Sequence, residues 1–410
     1  MFYRETDFKD EQLIGEIPKN WESIKLEEVV EIHDSKRIPL SEMERKNRKG
    51  QYPYCGANGI IDYIDNYIFD GEFVLLAEDG GSYGRLENTA YIMNGKFWVN
   101  NHAHILRAIE GKTSNLFLKY ALDFLDLNPY VVGSTRKKLN QEQMREIRIP
   151  LPPFEEQRGI VGVLGVVDSV IAKTGEVIAK TERLKKGLMQ TLLTRGIGHK
   201  EYKQTPIGTI PKEWEIIRLK DKAWVKEGVY GKRGEKGVIQ LKADSISDSG
   251  RINANAYALI SVDRQIDDYL LEPGDIILSN RNSAALVGKC AIFRGEFKQC
   301  VFSNLLTRIR LNSKDVLPEW LLYILMKIKD DGLLRAFSTR AVNQVLLKKE
   351  LVENLKVPLP SISEQQEIVN ILSAIDDKLE LEKEEKAKLE RIKQGLMDLL
   401  LTGKIRVKVD

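Results

Sequence analysis

The side chains in this chain that could do chemistry are of the kind that hydrogen-bond to phosphates and base edges. Arg37, Lys46, Arg48 and Lys49 lie in one stretch whose only acids after Asp34 are Glu42 and Glu44. Cations in such a loop suit phosphate oxygens. Asn58, Ser82, Tyr83, Arg85, Asn101 and His102 sit at Gly-, Asn- and Asp-rich turns. There they are candidates for reading base edges, since Arg matches guanine, Asn matches adenine and Ser matches either. Farther along, Lys232, Arg233 and Lys236 form a basic loop between Gly231 and Gly237, and Asn280, Arg281, Asn282 and Ser283 form a second polar turn. Ser134-Thr135-Arg136 recurs as Ser338-Thr339-Arg340. Arg136 and Arg340 are thus candidates for a shared backbone contact, although a helix N-cap fits the same tripeptide.

Catalytic constellations are missing from the sequence. It has no GxxxxGK[ST] phosphate loop, no glycine-rich strand-to-helix cofactor fingerprint and no Asn-Pro-Pro-Tyr-like or Asp-Pro-Pro-Tyr-like tetrapeptide. His102 and His104 fall on one face of a strand, without a carboxylate or Cys at metal-ligand spacing. No catalytic residue and no metal site are therefore expected. Glu78-Asp79-Gly80-Gly81 reads as a tight turn that presents side chains. Cys55, Cys290 and Cys300 are scattered and suit buried positions in a reducing compartment. The net charge of +3 neither demands nor excludes nucleic acid, so the clustering of charge decides. With no apolar run near the ~18 residues that span a bilayer and no signal-peptide pattern at residues 1–12, a cytoplasmic protein without membrane association is expected.

The elements that must position these residues occur twice. Ile14–Val29 returns as Ile207–Lys222, Ile149–Leu164 as Val357–Leu372, and Arg183–Ile197 as Arg391–Ile405. Such a repeat means one structural unit used twice. All insertions between the copies fall in their globular parts. The closing segments are length-matched and helical. In the first, Ile160, Val167, Thr174, Thr181 and Leu188 recur every seven residues, with Val163, Val170, Val177 and Leu184 as companion row and Leu164, Ile171 and Ile178 beside it. Ile368, Ile375, Glu382, Leu389 and Leu396 keep that phase in the second. Prolines and Glu155, Glu156 or Glu364 suit the helix starts, and Gly196 and Gly403 the ends. About 40 residues make a rod of roughly 60 Å. The simplest partner for each rod is the other. The predicted fold is α+β: two mixed α/β globular domains separated by two long helices, paired as an antiparallel intramolecular coiled coil under a pseudo-twofold repeat. The expected boundaries are 1–150, 151–195, 196–357 and 358–410. Within the first domain Thr89–Ile109 resembles a hairpin closed at Asn94-Gly95, and helices are expected at Asn115–Phe124 and Pro318–Ile328. Trp21 and Trp214 read as packing anchors.

On these landmarks the chain resembles the specificity subunits of type I restriction–modification systems over essentially its whole length. The landmarks are G-x-I-P-x-x-W at Gly15–Trp21 and Gly208–Trp214, P-L-P followed by Glu-Gln at each helix start, and L-x-x-G-L-M-x-x-L-L-T at Leu184–Thr194 with its near-copy at Ile392–Thr402. LLAEDGGSYG with FWVNNHAHIL is similar to one subclass of target recognition domain, and Gly274–Lys289 to another. The resemblance implies double-stranded DNA as a partner, with each domain reading one half of an asymmetric bipartite site. It implies helices that set the unread spacer and dock two modification methyltransferase subunits, and a restriction motor–nuclease subunit that joins for cleavage. S-adenosylmethionine, ATP and Mg would belong to those partners, with no cofactor on this chain. Two alternatives stay open: the specificity subunit of a stand-alone methylation complex, and a coiled-coil scaffold that reads no DNA.

Overall fold

The computed structural model describes residues 2–133, 137–263, 265–283, 286–336, 339–341 and 344–408. Contacts divide the chain into two compact units, Met1–Gly175 with Glu384–Asp410, and Glu176–Lys383. Each unit holds one globular domain and one half of each long helix.

In the first domain a four-stranded antiparallel sheet has the order Ala90–Met93, Phe73–Ala77, Ala103–Ala108, Val30–Ile32. Phe73–Ala77 is buried at every residue, because both faces of this inner strand are covered, and it reads as an unbroken apolar run. Val74 and Leu76 pack with Phe117, Leu118 and Ala121 of the helix Asn115–Phe124, whereas Phe73 and Leu75 pack with Phe69 and Phe97. That split follows the two-residue alternation of a strand. A second sheet has the order Gly59–Ile64, Lys49–Gly56, Lys96–Val99, Phe69–Asp70, with its middle pair parallel.

The second domain repeats this plan. Its strands Ala223–Glu227, Leu306–Leu311, Ile276–Ser279 and Cys290–Ile292 form one antiparallel sheet. Tyr257–Ser261, Lys232–Leu241 and Cys300–Phe302 form the other, and Lys232–Leu241 again pairs in parallel with the strand beyond it. Ile276 and Leu278 face the helix Pro318–Asp330, and Ile277 faces the other way. The three cysteines are buried and unpaired.

One expected hairpin is different. Ala90–Met93 and Lys96–Val99 do not pair with each other. Both run antiparallel to the single stretch Phe69–Ala77, with Gly71 and Gly95 exchanging backbone hydrogen bonds of 3.1 Å at the bend. Gly71 (φ 128°) and Gly95 (φ 85°) take conformations that a Cβ disfavours, so Asn94-Gly95 bends a long ladder instead of closing a short one.

The long helices are Phe154–Arg195 and Ile362–Leu401, each ended by a left-handed glycine, Gly196 or Gly403. Within the first unit Asp168 meets Lys393 at 2.6 Å, and the Gly175 backbone lies beside Lys386. Within the second, Glu182 meets Lys383 at 2.7 Å and Lys185 meets Asp376 at 2.5 Å. Partners on one helix recede as the other advances, so the helices pair antiparallel. Ile160, Leu164 and Thr181 are buried, and Ile171 and Ile178 half-buried. Past Val163, which packs against the first core, the companion row is turned outward: Val170 is 41%, Val177 42% and Leu184 56% exposed. The seam uses the i and i+4 rows, which leaves the i+3 row on the far flank. Among the described residues no helix is long and apolar enough to cross a membrane.

The repeated motifs are joints between domain and helix. Trp21 donates its indole N–H to Glu156 at 3.1 Å, and Trp214 to Glu364 at 2.9 Å. Both indoles are buried anchors. The next residues, Gln157 and Gln365, donate to the carbonyls of Pro152 and Lys112, and of Pro360 and Asp315, at 2.8–3.0 Å. Tyr120 donates to Asp168 (2.7 Å), which also holds Lys393, and Tyr323 donates to Asp376 (2.8 Å), which also holds Lys185. Each Tyr–Asp–Lys lock ties the short domain helix to both long ones. In the first unit Phe2–Arg4 pairs with Ile405–Val407, and buried Arg406 reaches Glu156 (2.6 and 2.7 Å) and Glu5 (2.5 Å). In the second unit His199 takes that role, at 2.8 Å from Glu364.

Candidate nucleic-acid interface

Three turns meet at one edge of the first domain. The strand Phe73–Ala77 ends at Glu78, whose N–H donates to the His102 carbonyl (2.9 Å) and whose carbonyl accepts from Leu139 N–H (2.8 Å). This brings Asp79–Ser82 beside Asn101 and His102. The imidazole Nδ1 of His102 lies 2.7 Å from Asp79 Oδ1, and Asn58 donates to the Gly80 carbonyl at 2.9 Å. Gly80 (φ 67°) makes the turn. Asn58, Ser82 and Asn101 are exposed and His102 is half-buried, so these four predicted residues form one patch.

Under that patch lies a charged cluster. Glu78 is held by Arg37 and by Lys138 (2.9 Å). Arg37 also reaches Asp34 (3.4 Å) and the Ala103 carbonyl (3.0 Å). Asp34 accepts from Ile105 N–H (2.8 Å) and lies 2.6 Å from His104 Nδ1, while His104 Nε2 faces the Leu139 carbonyl at 2.8 Å. Burial opposes ionisation of both acids. His104 and Arg37 nevertheless hold Asp34 below its usual range, and Arg37 and Lys138 do the same for Glu78. Ligand atoms of Asp34, Glu78 and His104 lie within 4.8 Å of one another, as a metal would require. The guanidinium of Arg37 already supplies the cation there.

The second domain has the same backbone frame with other side chains on it. Asn280 N–H donates to the Leu305 carbonyl (3.0 Å) and its carbonyl accepts from Leu347 N–H (2.8 Å). Asn280 thus stands where Glu78 does, Arg281 where Asp79 does and Leu305 where His102 does. The Asn280 amide donates to Thr307 Oγ1 at 3.0 Å, and Thr307 occupies the place of His104. Arg281 and Ser283 are exposed, and Asn282 is half-buried and turned onto Ser279 and Ser283. Lys232, Arg233 and Lys236 are exposed on a strand bulged between Arg233 and Val238, with no ion-pair partner among the described residues.

Several candidates sit elsewhere than expected. Arg37 is inside the charged cluster and is not free to clamp phosphate. Tyr83 is 2% exposed, with burial pushing its phenol up to about 12, and Asn280 is also 2% exposed; neither can reach a base edge from there. Arg85 is drawn to Asp398 of the second long helix and stacks on Phe124. Lys46 and Lys49 are exposed and Arg48 half-buried, and they pair with Glu42 (2.7 Å), Asp62 (2.5 Å) and Asp65 (2.9 Å) respectively. Ser134, Thr135, Arg136, Ser338 and the side chain of Arg340 lie outside the described residues. Sequence reasoning missed Glu78, Asp34 and His104 as a cluster, and both Tyr–Asp–Lys locks. The recurrence of Tyr120 as Tyr323 beside a recurring Asp was the available signal for the locks. The cluster had none, because its members are far apart in sequence.

Comparison with known proteins agrees with this geometry. The family model for the type I restriction modification DNA specificity domain matches twice, at residues 18–183 and 211–391. The chain is 31% identical over 449 residues to the putative type I restriction enzyme MjaX specificity subunit of Methanocaldococcus jannaschii, covering 99% of this chain and 98% of that one. It is 28% identical over 428 residues to the MjaVIII specificity subunit of the same organism, with the same coverage. In fold it is similar to the crystal structure of the type I restriction-modification S subunit from M. genitalium, with a TM-score of 0.58 at 16% identity, covering 95% of this chain and 97% of that one. With two matched domains, two matched joints and two matched helices, the chain belongs to the family of type I restriction–modification specificity subunits, the non-catalytic component of those systems.

Proposed function

We propose that this chain reads an asymmetric, bipartite site in double-stranded DNA, one half-site per domain. The observation that carries the reading is one backbone frame used twice with unlike side chains at its exposed turns. Asp79 and His102 stand in one copy, and Arg281 and Leu305 in the other. Two frames of one shape suit two segments of one duplex, and unlike side chains suit unlike base sequences. The free cations of Lys232, Arg233 and Lys236 suit phosphate on either side of a groove. A helix of about 40 residues is roughly 60 Å long, or about 18 base pairs at about 3.4 Å each. Rods matched in length between the two copies would act as a ruler for the unread spacer.

The outward heptad row Val170, Val177 and Leu184 supports docking of helical partners on the first long helix. Those partners are the modification methyltransferase subunits, two in number by the repeat, with a restriction motor–nuclease subunit joining for cleavage. S-adenosylmethionine, ATP and Mg act on those subunits, in the cytoplasm where the DNA is. The test is a base-resolution adenine-methylation map of cells expressing the modification subunit with and without this chain. A motif of two short blocks around an unread gap, present only with the chain, is expected. An assembled complex that methylates no chain-dependent motif refutes the reading.

A further inference from the structure

The two reading frames share one backbone pattern and differ underneath as well as at their exposed turns. In the first domain the residue that joins the three turns is an acid, Glu78, 8% exposed and held by Arg37 and Lys138. Each of its partners comes from a different part of the patch. Arg37 follows the short turn Asp34–Lys36, Lys138 bridges to Asp79 through the backbone, and His104 is the second residue of the strand that leads out of Asn101-His102. His104 Nδ1 is 3.8 Å from Glu78 and 2.6 Å from Asp34, and Gln141 adds a contact to Asp34 at 3.3 Å. In the second domain the same post is neutral. Asn280 bonds Thr307, and Asn280 Oδ1 is buried without a hydrogen-bond partner.

We propose that Glu78, Arg37, His104, Asp34 and Lys138 are positioning residues for reading the first half-site, and that the second half-site is read from a frame that needs no buried charge. This rests on the two-half-site reading above. The physical ground is the cost asymmetry of buried ions. An ion network fully paired defines one arrangement, and removing one member leaves the others uncompensated, so the turns move to regain solvent or new partners. Asp79 and Gly80 follow Glu78 directly in the chain and His102 is one backbone hydrogen bond from it, so their displacement is direct. An amide–hydroxyl pair such as Asn280–Thr307 has no such lever.

The experiment uses the full chain assembled with its modification subunit and duplexes carrying the mapped site and each single-base change in it. Arg281→Ala identifies the half-site that belongs to the second domain. Glu78→Gln and Arg37→Ala are expected to lower discrimination at the other half-site about tenfold or more. Discrimination at the second half-site and the salt dependence should stay as in the unaltered chain. Two results overturn the proposal. One is unchanged discrimination in both halves. The other is an even loss of affinity across all sequences on Arg37→Ala, with the slope of log K against log salt reduced by about 0.9, which marks a phosphate contact. A variant that also loses the second half-site has lost its fold. Lys138→Met, which removes only the half-exposed partner of Glu78, then carries the same comparison with the same two outcomes. An unaltered complex that discriminates no sequence refutes the two-half-site reading instead, so the two failures are distinct.

Discussion

The Tyr–Asp–Lys locks offer a comparison within one molecule. Tyr323 and Tyr120 make the same hydrogen bond to the same kind of carboxylate at 2.8 and 2.7 Å, and burial followed by that carboxylate's charge pushes each phenol well above its usual range, so each is the donor. The acceptors differ in their access to water. The side chain of Asp376 is 7% exposed and that of Asp168 34%. Tyr323→Phe removes a charge-assisted bond whose acceptor water cannot reach, at a cost of about 2 kcal/mol. Tyr120→Phe removes a bond that water can replace, at a cost below about 1 kcal/mol. The chain has two compact units, so a single unfolding midpoint is a poor measure. Amide hydrogen exchange read on peptides from Pro318–Asp330 and Asn115–Phe124 reports each lock separately. Exchange in the first peptide should speed up about 30-fold in Tyr323→Phe, and in the second less than about fivefold in Tyr120→Phe. Equal changes in the two, or a larger one in Tyr120→Phe, would show that solvent access does not set the cost of the lock.

Three further outcomes follow from the same structure. For His199, burial opposes its charge, but the bond to Glu364 and the charges of Glu364 and Glu213 hold its pKa above the usual histidine range. The raised folded value means this joint's contribution is full below about pH 6.5 and fades as pH rises through the folded pKa. Stability of the second unit should therefore fall with rising pH in the unaltered chain and less so in His199→Gln; parallel profiles would remove the assignment. Replacing Lys232, Arg233 and Lys236 together by Ala should cut the slope of log K against log salt by about 2 to 3 while leaving the motif unchanged; an altered motif at constant slope would make them base readers. Inserting four residues, about one turn or 6 Å, into each long helix should lengthen the unread spacer and keep both half-sites, as a methylation map of the variant would reveal; an active variant with the original spacer would end the ruler reading.

The repeat made the joints legible. Gly15–Trp21 and Gly208–Trp214, with the Glu-Gln pairs that open the helices, recur because one set of contacts is made twice: indole to Glu, and Gln to the loop before the short helix. Helix lengths and the strands Phe73–Ala77 and Ile276–Ser279 were legible for local reasons, namely heptad spacing and unbroken apolar runs. Exposure was not. Whether Arg37 clamps phosphate or sits under the surface depends on Glu78, 41 residues away. The fate of Arg85 depends on Asp398, 313 residues away. Tyr83 and Asn280 have residue types that serve both roles, and neighbouring letters carry no sign of which. Three adjacent helix rows are apolar, so the heptad pattern alone did not say which of them face inward.

The pairing of Phe2–Arg4 with Ile405–Val407, and the Arg406 clamp on Glu156, bear on the order in which a ribosome can finish this molecule. Every residue of the second unit has been made once residue 383 emerges, whereas the first unit still lacks Glu384–Asp410. The half of the protein translated first is thus the half completed last. A premature stop late in the reading frame would strike the domain encoded at its start and spare the one encoded just upstream of the lesion.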